Sequence, residues 1–303
     1  MKKANLVIVL SLVFACGCRK HDSAKQESAQ QEPAKQQVAQ SKIEQPPAAA
    51  PPESPKWDRK GDFVTTFDGM ALAPTRRDPH VSYGLDPNVE RFFVHVPEDY
   101  SGETPYGLIV FTDADSDSRQ LPEGWQAVLD QRKLIYIAAQ GAGNDQYSNR
   151  RLGLAVLAAL EMMKHYRIDP SRVYAAGFSG GARMAGLLGF YQADLFHGTI
   201  QNCGADFYKP VPTQAATSTV DAAGNSYGLF DATVDEIAGA RSVRFALITG
   251  SRDFRHGNIL DIFNGGFAAE GFKAKLFDVP GMPHDTADAH TLSAALDFIE
   301  QAQ

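Results

Sequence analysis

The sequence is poor in cysteine. Two of its three cysteines lie within the first eighteen residues, and Cys203 is the only one beyond them. Because Cys203 has no possible partner in the rest of the chain, no internal disulfide can form there, and a hydrophobic core has to stabilise the fold. We expect Cys203 to be a small buried apolar residue rather than a reactive thiol.

The chain also lacks the surplus of basic residues that nucleic-acid-binding proteins usually have. It contains 29 lysines and arginines against 36 aspartates and glutamates, so its formal net charge is −7 at pH 7. The acidic residues are spread along the chain, which indicates a solvated surface rather than an acidic tail. The composition therefore predicts no nucleic-acid partner.

Motifs for cofactors and metals are missing as well. The segment GAGNDQ at 141–146 lacks the Lys-Ser/Thr pair and the third glycine of phosphate-binding loops. The segment HDTADAH at 284–290 has two histidines six positions apart, whereas ligand pairs on one helix face are usually three or four positions apart. We therefore expect no cofactor and no metal site.

The first eighteen residues have the layout of an export signal: the basic MKK, the short apolar ANLVIVLSLVFA and then CGC. The segment VFAC at 13–16 resembles the bacterial lipobox, in which a signal peptidase cuts before a cysteine that becomes diacylated. Val13 stands where that motif usually has leucine. We expect a lipid on Cys16, or alternatively on Cys18, which would hold the chain to a membrane of the cell envelope, on its periplasmic or outer-membrane face. An ordinary cleaved signal, and hence secretion, is the alternative.

Residues 19–56 consist mainly of Gln, Ala, Pro, Glu, Lys and Ser. Such a composition has too few large apolar side chains to offset the entropy of ordering the chain, so it predicts a disordered linker. Large apolar residues return at Trp57, and we expect one domain from there to Gln303.

Within that domain, strand-like apolar runs alternate with segments of helical spacing. The predicted strands are 90–100, 106–114, 133–141, 169–179, 198–205, 243–253 and 273–284. The predicted helices are 150–168, 180–196, 256–272 and 286–301, whereas the weakly patterned residues 206–240 predict loops or a short lid. The alternation predicts an α/β fold, with a mainly parallel central sheet and helices on both faces. In such sheets, ligands bind beyond the carboxyl ends of the strands.

The segment AAGFSGGAR at 175–183 places Ser179 between a predicted strand and a predicted helix. Its G-x-S-x-G spacing is that of a nucleophile elbow, where glycines on both sides permit a sharp turn. The helix that follows directs the positive end of its dipole at the serine. A glycine-rich structural bend is the alternative, but the strand and helix on either side favour a nucleophile.

Two further candidates also follow predicted strands. Asp253 comes after the strand LITGSRD, and His284 comes after the strand LFDVPGMPH. A serine needs a histidine to accept its proton, and the histidine needs an acid to hold its tautomer. Ser179, Asp253 and His284 occur in the chain order of α/β-hydrolase triads. Asp206, which follows the preceding strand, is the rival acid.

Three segments resemble one family. DPSRVYAAGFSGGARMA resembles the elbow of the α/β-hydrolases that include polyhydroxybutyrate depolymerase-like and feruloyl or acetylxylan esterase-like secreted enzymes. ERFFVHVPEDYSGETPYGLIVF resembles their first strands, and PGMPH resembles their catalytic-histidine loop; together the resemblance spans residues 88–303. It implies the α/β-hydrolase fold and a serine esterase that cleaves small-molecule or polymer carboxylic esters through an acyl-enzyme. A non-catalytic binding lipoprotein and a peptidase on the same fold are the alternatives.

One segment departs from this family, which has a His-Gly pair after the strand equivalent to LIVF. Here the residues at 112–115 are Thr-Asp-Ala-Asp. A backbone N–H at this place completes the family's oxyanion hole. We expect Gly180 to supply one donor, and Thr112 or Asp113 to supply the second.

The two carboxylates of this segment, Asp113 and Asp115, would oppose a negative charge that develops nearby. We therefore expect them to point away from Ser179 or to pair with a cation, with Arg183 and Arg119 as candidates. Losing one oxyanion donor costs roughly 3–4 kcal/mol in a known serine hydrolase. The 112–115 segment is consequently expected to determine how efficiently Ser179 can catalyse a reaction.

Overall fold

The structure is a computed structural model that describes residues 57–68, 85–213 and 232–301. The expected signal peptide, with Cys16 and Cys18, and the expected linker lie outside the described residues. Among the helices that are described, none has both the length and the apolarity needed to cross a membrane.

Within the described ranges, eight strands form one sheet. They are β1 Gly61–Thr65, β2 Phe92–Val96, β3 Tyr106–Thr112, β4 Leu134–Ala139, β5 Ile168–Phe178, β6 Gly198–Asn202, β7 Arg244–Arg252 and β8 Lys273–Pro283. Their order across the sheet is β1-β2-β4-β3-β5-β6-β7-β8. β2 pairs antiparallel with both β1 and β4, and all the other pairs are parallel. The predicted mainly parallel sheet is confirmed.

The helices cover both faces of this sheet. They are α1 Trp125–Gln131, α2 Ser148–His165, α3 Gly180–Tyr191, α4 Val234–Ala240, α5 His256–Ile262 and α6 Ala289–Ile299, and a π-helical segment Phe263–Ala268 follows α5. Along β3, Leu108 and Val110 belong to one buried cluster, together with residues of α2 and α3. Ile109 and Phe111 belong to another, with residues of α1 and α6. The alternation of β3 side chains thus supplies both cores, as a doubly covered sheet requires.

The prediction of loops or a lid over 206–240 is wrong at its end, where α4 forms. Thr233 caps this helix: its side chain accepts a hydrogen bond from the Glu236 N–H, and the Glu236 side chain accepts one from the Thr233 N–H. This reciprocal capping box stabilises a helix of only seven residues whose sequence has little apolar periodicity. Residues 214–231 of the predicted lid lie outside the described part of the chain.

Candidate active site

The three candidate residues meet at one edge of the sheet. Ser179 directly follows β5, Asp253 directly follows β7 and His284 directly follows β8. These strands are parallel within the sheet, so their carboxyl ends lie along the same edge. His284 Nε2 lies 3.0 Å from Ser179 Oγ, and His284 Nδ1 lies 2.6 Å from Asp253 Oδ1. A continuous line of hydrogen bonds therefore joins the serine hydroxyl to the carboxylate.

The backbone of Ser179 is strained. Its φ is 54° and its ψ is −116°, a combination that costs a non-glycine residue about 1–3 kcal/mol. The glycines beside it are sterically required. A Cβ on Gly181 would lie 1.9 Å from the Thr112 carbonyl oxygen, and a Cβ on Gly177 would lie 2.4 Å from the Gly181 backbone. The turn between β5 and α3 is thus tight enough to demand the glycines of the motif.

Asp253 is buried and accepts several hydrogen bonds. The Thr249 hydroxyl donates to Oδ2 at 2.7 Å, and the Arg255 backbone N–H donates to Oδ1 at 2.9 Å. Burial alone would raise the pKa of Asp253, but the hydrogen bonds from His284, Arg255 and Thr249 together hold that pKa below its usual value. Asp253 is therefore ionised at neutral pH, which is the state that orients a histidine and stabilises its protonated ring.

Asp206, the rival acid, lies in a separate ion pair. Arg183 donates to it through two nitrogens, from Nε to Oδ2 at 2.9 Å and from Nη2 to Oδ1 at 2.8 Å. Both residues are buried. The structure brings Asp253, not Asp206, to His284. It also shows that the suggested pairing of Arg183 with Asp113 or Asp115 is wrong, since Arg183 has its carboxylate partner within the core.

We expect Asp206→Ala to lower the free energy of unfolding by about 3–5 kcal/mol, because it removes one partner of a buried ion pair. Urea denaturation measures this change. Asp58→Ala is the matched control, since Asp58 is exposed and its loss should change stability by less than about 0.5 kcal/mol. Equal effects of the two substitutions would contradict a structural role for the Arg183–Asp206 pair.

The Asp113 carboxylate is turned back onto its own loop. Its Oδ1 accepts the N–H groups of Ala114 at 2.7 Å and Asp115 at 3.4 Å, and its Oδ2 accepts the Ser118 hydroxyl at 3.2 Å. Burial raises the pKa of Asp113, and these hydrogen bonds oppose the rise. The Asp113 carboxylate is thus bound by hydrogen-bond donors of its own loop rather than by a cation.

Asp115 is exposed to solvent. Arg119, the other candidate cation, pairs with Asp117, two positions before it in the chain. Of the two expected arrangements, the described residues therefore show no pairing of this segment with Arg119 or Arg183, and the Asp113 carboxylate instead turns onto its own loop. An exposed carboxylate needs no such partner, because water screens its charge.

The three expected oxyanion donors differ in their surroundings. Gly180 is the first residue of α3, so its N–H has no acceptor within the helix. Asp113 is the first residue after β3, and the described part of the chain offers no acceptor for its N–H or for that of Gly180. Thr112 lies within the sheet, where it pairs with Gly177, and its carbonyl packs against Gly181.

Arg151 was not identified from the sequence. It is fully buried in α2, and it donates from Nε to the Ala142 carbonyl at 2.7 Å and from Nη2 to the Asp113 carbonyl at 3.0 Å. Arg151 thereby fixes the loop that follows β3 to the loop that follows β4. The only signal in the sequence is an arginine pair at the start of an otherwise apolar helix, which does not indicate a buried charge.

Cys203 is buried beside the candidate triad. Its sulfur and possible ligand atoms of Asp253 and His284 all lie within 4.8 Å of one another, a spacing that a metal site could use. However, burial raises the pKa of the Cys203 thiol, and the thiol contacts the Asp285 carbonyl at 3.1 Å. Because metal binding needs a thiolate, this cluster fits a neutral thiol that packs under the triad better than it fits a metal site.

The sequence has a partial match among characterised proteins. No protein-family model matches the chain. Over 155 residues it is 25% identical to poly(3-hydroxyalkanoate) depolymerase C of Paucimonas lemoignei, which covers 46% of this chain and 36% of that protein. The chain therefore spans little more than a third of the length of this relative.

Solved structures match over most of the chain. FphF of Staphylococcus aureus, a fluorophosphonate-binding serine hydrolase, superposes with a TM-score of 0.53 at 14% identity, covering 79% of this chain and 98% of that one. LpqC of Bordetella parapertussis, a poly(3-hydroxybutyrate) depolymerase, superposes with a TM-score of 0.51 at 15% identity, covering 81% and 91%. The described domain therefore has the α/β-hydrolase fold, and the chain resembles the depolymerases and esterases of that superfamily.

Proposed function

We propose that this chain is a serine hydrolase that cleaves carboxylic esters. The observation that carries the proposal is the line of hydrogen bonds from Ser179 Oγ through His284 to Asp253. The 3.0 Å between Ser179 Oγ and His284 Nε2 is within the range over which a general base takes a proton. Ser179 is thus the proposed nucleophile, His284 the base and Asp253 the residue that orients it.

The proposed reaction has two steps. In the first, Ser179 Oγ attacks the ester carbonyl while His284 accepts its proton, and His284 then protonates the departing alkoxide as the acyl-enzyme forms. In the second, water attacks the acyl-enzyme while His284 accepts a proton from it, and the carboxylic acid leaves as His284 returns that proton to Ser179. No further reactant is needed, and water is the only species consumed besides the ester.

The proposed oxyanion hole uses backbone donors. When Ser179 attacks, negative charge develops on the carbonyl oxygen, and fixed N–H dipoles stabilise it without reorganising. The Gly180 and Asp113 N–H groups are the proposed donors, because no described acceptor competes for them. The N-terminus of α3 adds the positive end of its dipole at the same place.

The proposed substrates are esters with an apolar portion, either small molecules or polymers. Phe254 is 67% exposed, and the centroid of its ring lies 4.2 Å from that of the His284 ring. An exposed aromatic side chain beside a nucleophile offers contact to an apolar acyl or alcohol group. The similarity to a poly(3-hydroxyalkanoate) depolymerase supports the polymer alternative. Hydrolysis of p-nitrophenyl esters of increasing chain length tests the proposal, and no turnover of any of them would contradict it.

A non-catalytic binding protein is the second candidate function. The Thr-Asp-Ala-Asp segment at 112–115 favours it, since this segment replaces the His-Gly pair of the family. The two candidates differ in the reactivity of Ser179. A fluorophosphonate probe labels an activated serine, whereas a binding protein on the same fold would leave Ser179 unlabelled.

We also propose that residues 57–303 form the hydrolase domain and that a lipid on Cys16 holds it to the cell envelope through the 19–56 linker. The VFAC segment at 13–16 supports this location.

We expect Cys16→Ser to abolish incorporation of an alkynyl palmitate analogue and to move the protein from the membrane to the soluble fraction. Cys18→Ser is the matched control. If only the Cys18 variant lost labelling, the lipid would be assigned to Cys18 instead of Cys16. If neither cysteine were labelled, the result would favour secretion.

A further inference from the structure

We propose that the side-chain carboxamide of Asn144 is a third oxyanion donor, beside the backbone N–H groups of Gly180 and Asp113. The inference rests on the proposed function, since it assigns a further catalytic residue to the same site. It concerns a side chain from the loop between β4 and α2 that lies over the residue after the nucleophile.

The first observation is the space beside Gly180. A Cβ on Gly180 would lie 1.9 Å from Asn144 Oδ1 and 2.8 Å from Asn144 Cγ. The Asn144 carboxamide therefore occupies the position where the side chain of residue 180 would begin. The backbone nitrogen of Gly180, which carries the proposed donor N–H, is bonded to the same Cα, so the carboxamide lies beside the residue that supplies this donor.

The second observation is how firmly the Asn144 loop is held. The Asn144 backbone N–H donates to the Ala114 carbonyl at 2.8 Å, and the Gly141 N–H donates to the Ser116 carbonyl at 2.7 Å. The Gly143 N–H donates to the Ser116 hydroxyl at 3.1 Å. These bonds tie the loop that carries Asn144 to the loop that carries Asp113.

Arg151 also joins these two loops, because it donates a hydrogen bond to one backbone carbonyl in each of them. The loops that carry Asn144 and Asp113 are consequently held together by hydrogen bonds, which limits the movement of both residues. Donors that are fixed before the reaction stabilise a developing charge more than donors that must reorient.

The third observation is that the N–H groups of the Asn144 side chain make no hydrogen bond to the described residues. A carboxamide carries two N–H donors and one acceptor oxygen. Within the described residues, no hydrogen bond involves the Asn144 carboxamide, so it can turn its NH2 group toward an oxyanion. The neighbouring Asp145 carboxylate accepts hydrogen bonds from the Ser116 hydroxyl at 2.5 Å and from the Gln146 side chain at 2.8 Å. It accepts none from the Asn144 carboxamide.

The first test removes the carboxamide. We expect Asn144→Ala to lower kcat on p-nitrophenyl acetate by about 10²–10³-fold with little change in KM, since the donor acts on the charge that develops during the reaction. Asn144→Asp should lower kcat at least as much, because it places a carboxylate beside the oxyanion. Asn149→Ala is the matched control, as Asn149 is exposed on the first turn of α2. A kcat of Asn144→Ala within about twofold of wild type would overturn the inference.

The second test asks whether Gly180 and Asn144 act together. Gly180→Ala introduces a methyl group into the space of the carboxamide and should lower kcat about as much as Asn144→Ala. In the Asn144→Ala background that space is empty, so adding Gly180→Ala should cost little more. Fully additive losses would contradict a shared mechanism. Circular dichroism of each variant separates a catalytic loss from a folding defect.

These outcomes are distinguishable from a failure of the proposed function. If Ser179→Ala retains full activity, the serine-hydrolase proposal fails, and the third donor is rejected with it because no oxyanion then forms at Ser179. If Ser179→Ala is inactive while Asn144→Ala and Asn144→Asp match wild type, the hydrolase proposal stands. Only the third donor is then rejected.

Discussion

Replacing Ser179 with alanine is expected to lower kcat for p-nitrophenyl acetate by about 10⁴–10⁶-fold, because it removes the proposed nucleophile. The proposed oxyanion donors remain in this variant, so some rate above that of water alone should persist. The measurement is the initial rate at saturating substrate, with circular dichroism to establish that the variant is folded. Relief of the Ser179 backbone strain is not expected, since alanine also has a Cβ at the same φ.

Ser101→Ala is the matched control for this experiment. Ser101 is exposed and lies just before β3, at the edge of the sheet opposite Ser179. Its loss should leave kcat unchanged. If Ser179→Ala retained the wild-type rate, hydrolysis would have to occur at another residue, and the assignment of Ser179 would be wrong.

Asp253→Asn is expected to lower kcat by about 10⁴-fold with the fold intact. A carboxamide at this position can donate to His284 Nδ1, which places the imidazole proton on Nε2, where it can no longer accept the proton of Ser179. The carboxylate at 253 also balances the positive charge that His284 acquires, and asparagine cannot. The same kinetic assay measures this loss.

Asp206→Asn provides the comparison, since Asp206 was the rival acid in the sequence. It should destabilise the fold through Arg183 but leave the rate per folded molecule close to wild type. A larger catalytic loss for Asp206→Asn than for Asp253→Asn would reverse the assignment of the triad acid.

The sheet was largely predictable because most of its strands are apolar runs that are buried on both faces. β3 and β4 are entirely buried, and their sequences YGLIVFT and LIYIAA contain almost no polar residue. β1 was missed because it is an edge strand with one buried residue out of five, so GDFVT lacks a strand pattern. α1 was missed because it has seven residues and its N-cap residue is Gly124, which has no polar side chain to cap the first turn.

The candidate triad was predictable for a different reason. Ser179, Asp253 and His284 each follow a parallel strand directly, so the topology places them together irrespective of the loops between them. The Arg183–Asp206 pair could not be found in this way. Its geometry depends on which way two side chains turn within the core, and a sequence pattern does not record this.

The surroundings of the oxyanion were the least predictable part. The sequence indicated that 112–115 departs from the family pattern, but not that Asp113 would bind its own loop. It also gave no sign that Arg151 joins this loop to residue 142, because that contact links segments from different strands. Asn144 lies in GAGNDQ, a segment whose only recognisable sequence feature is an incomplete phosphate-binding pattern.

The most direct test of a reactive Ser179 is the intact mass of the full chain after incubation with a fluorophosphonate, followed by peptide mapping. We expect one phosphonyl adduct on Ser179, no adduct in Ser179→Ala and much slower labelling in Asp253→Asn. A folded wild-type protein that acquires no adduct, or acquires one only at another residue, would contradict it.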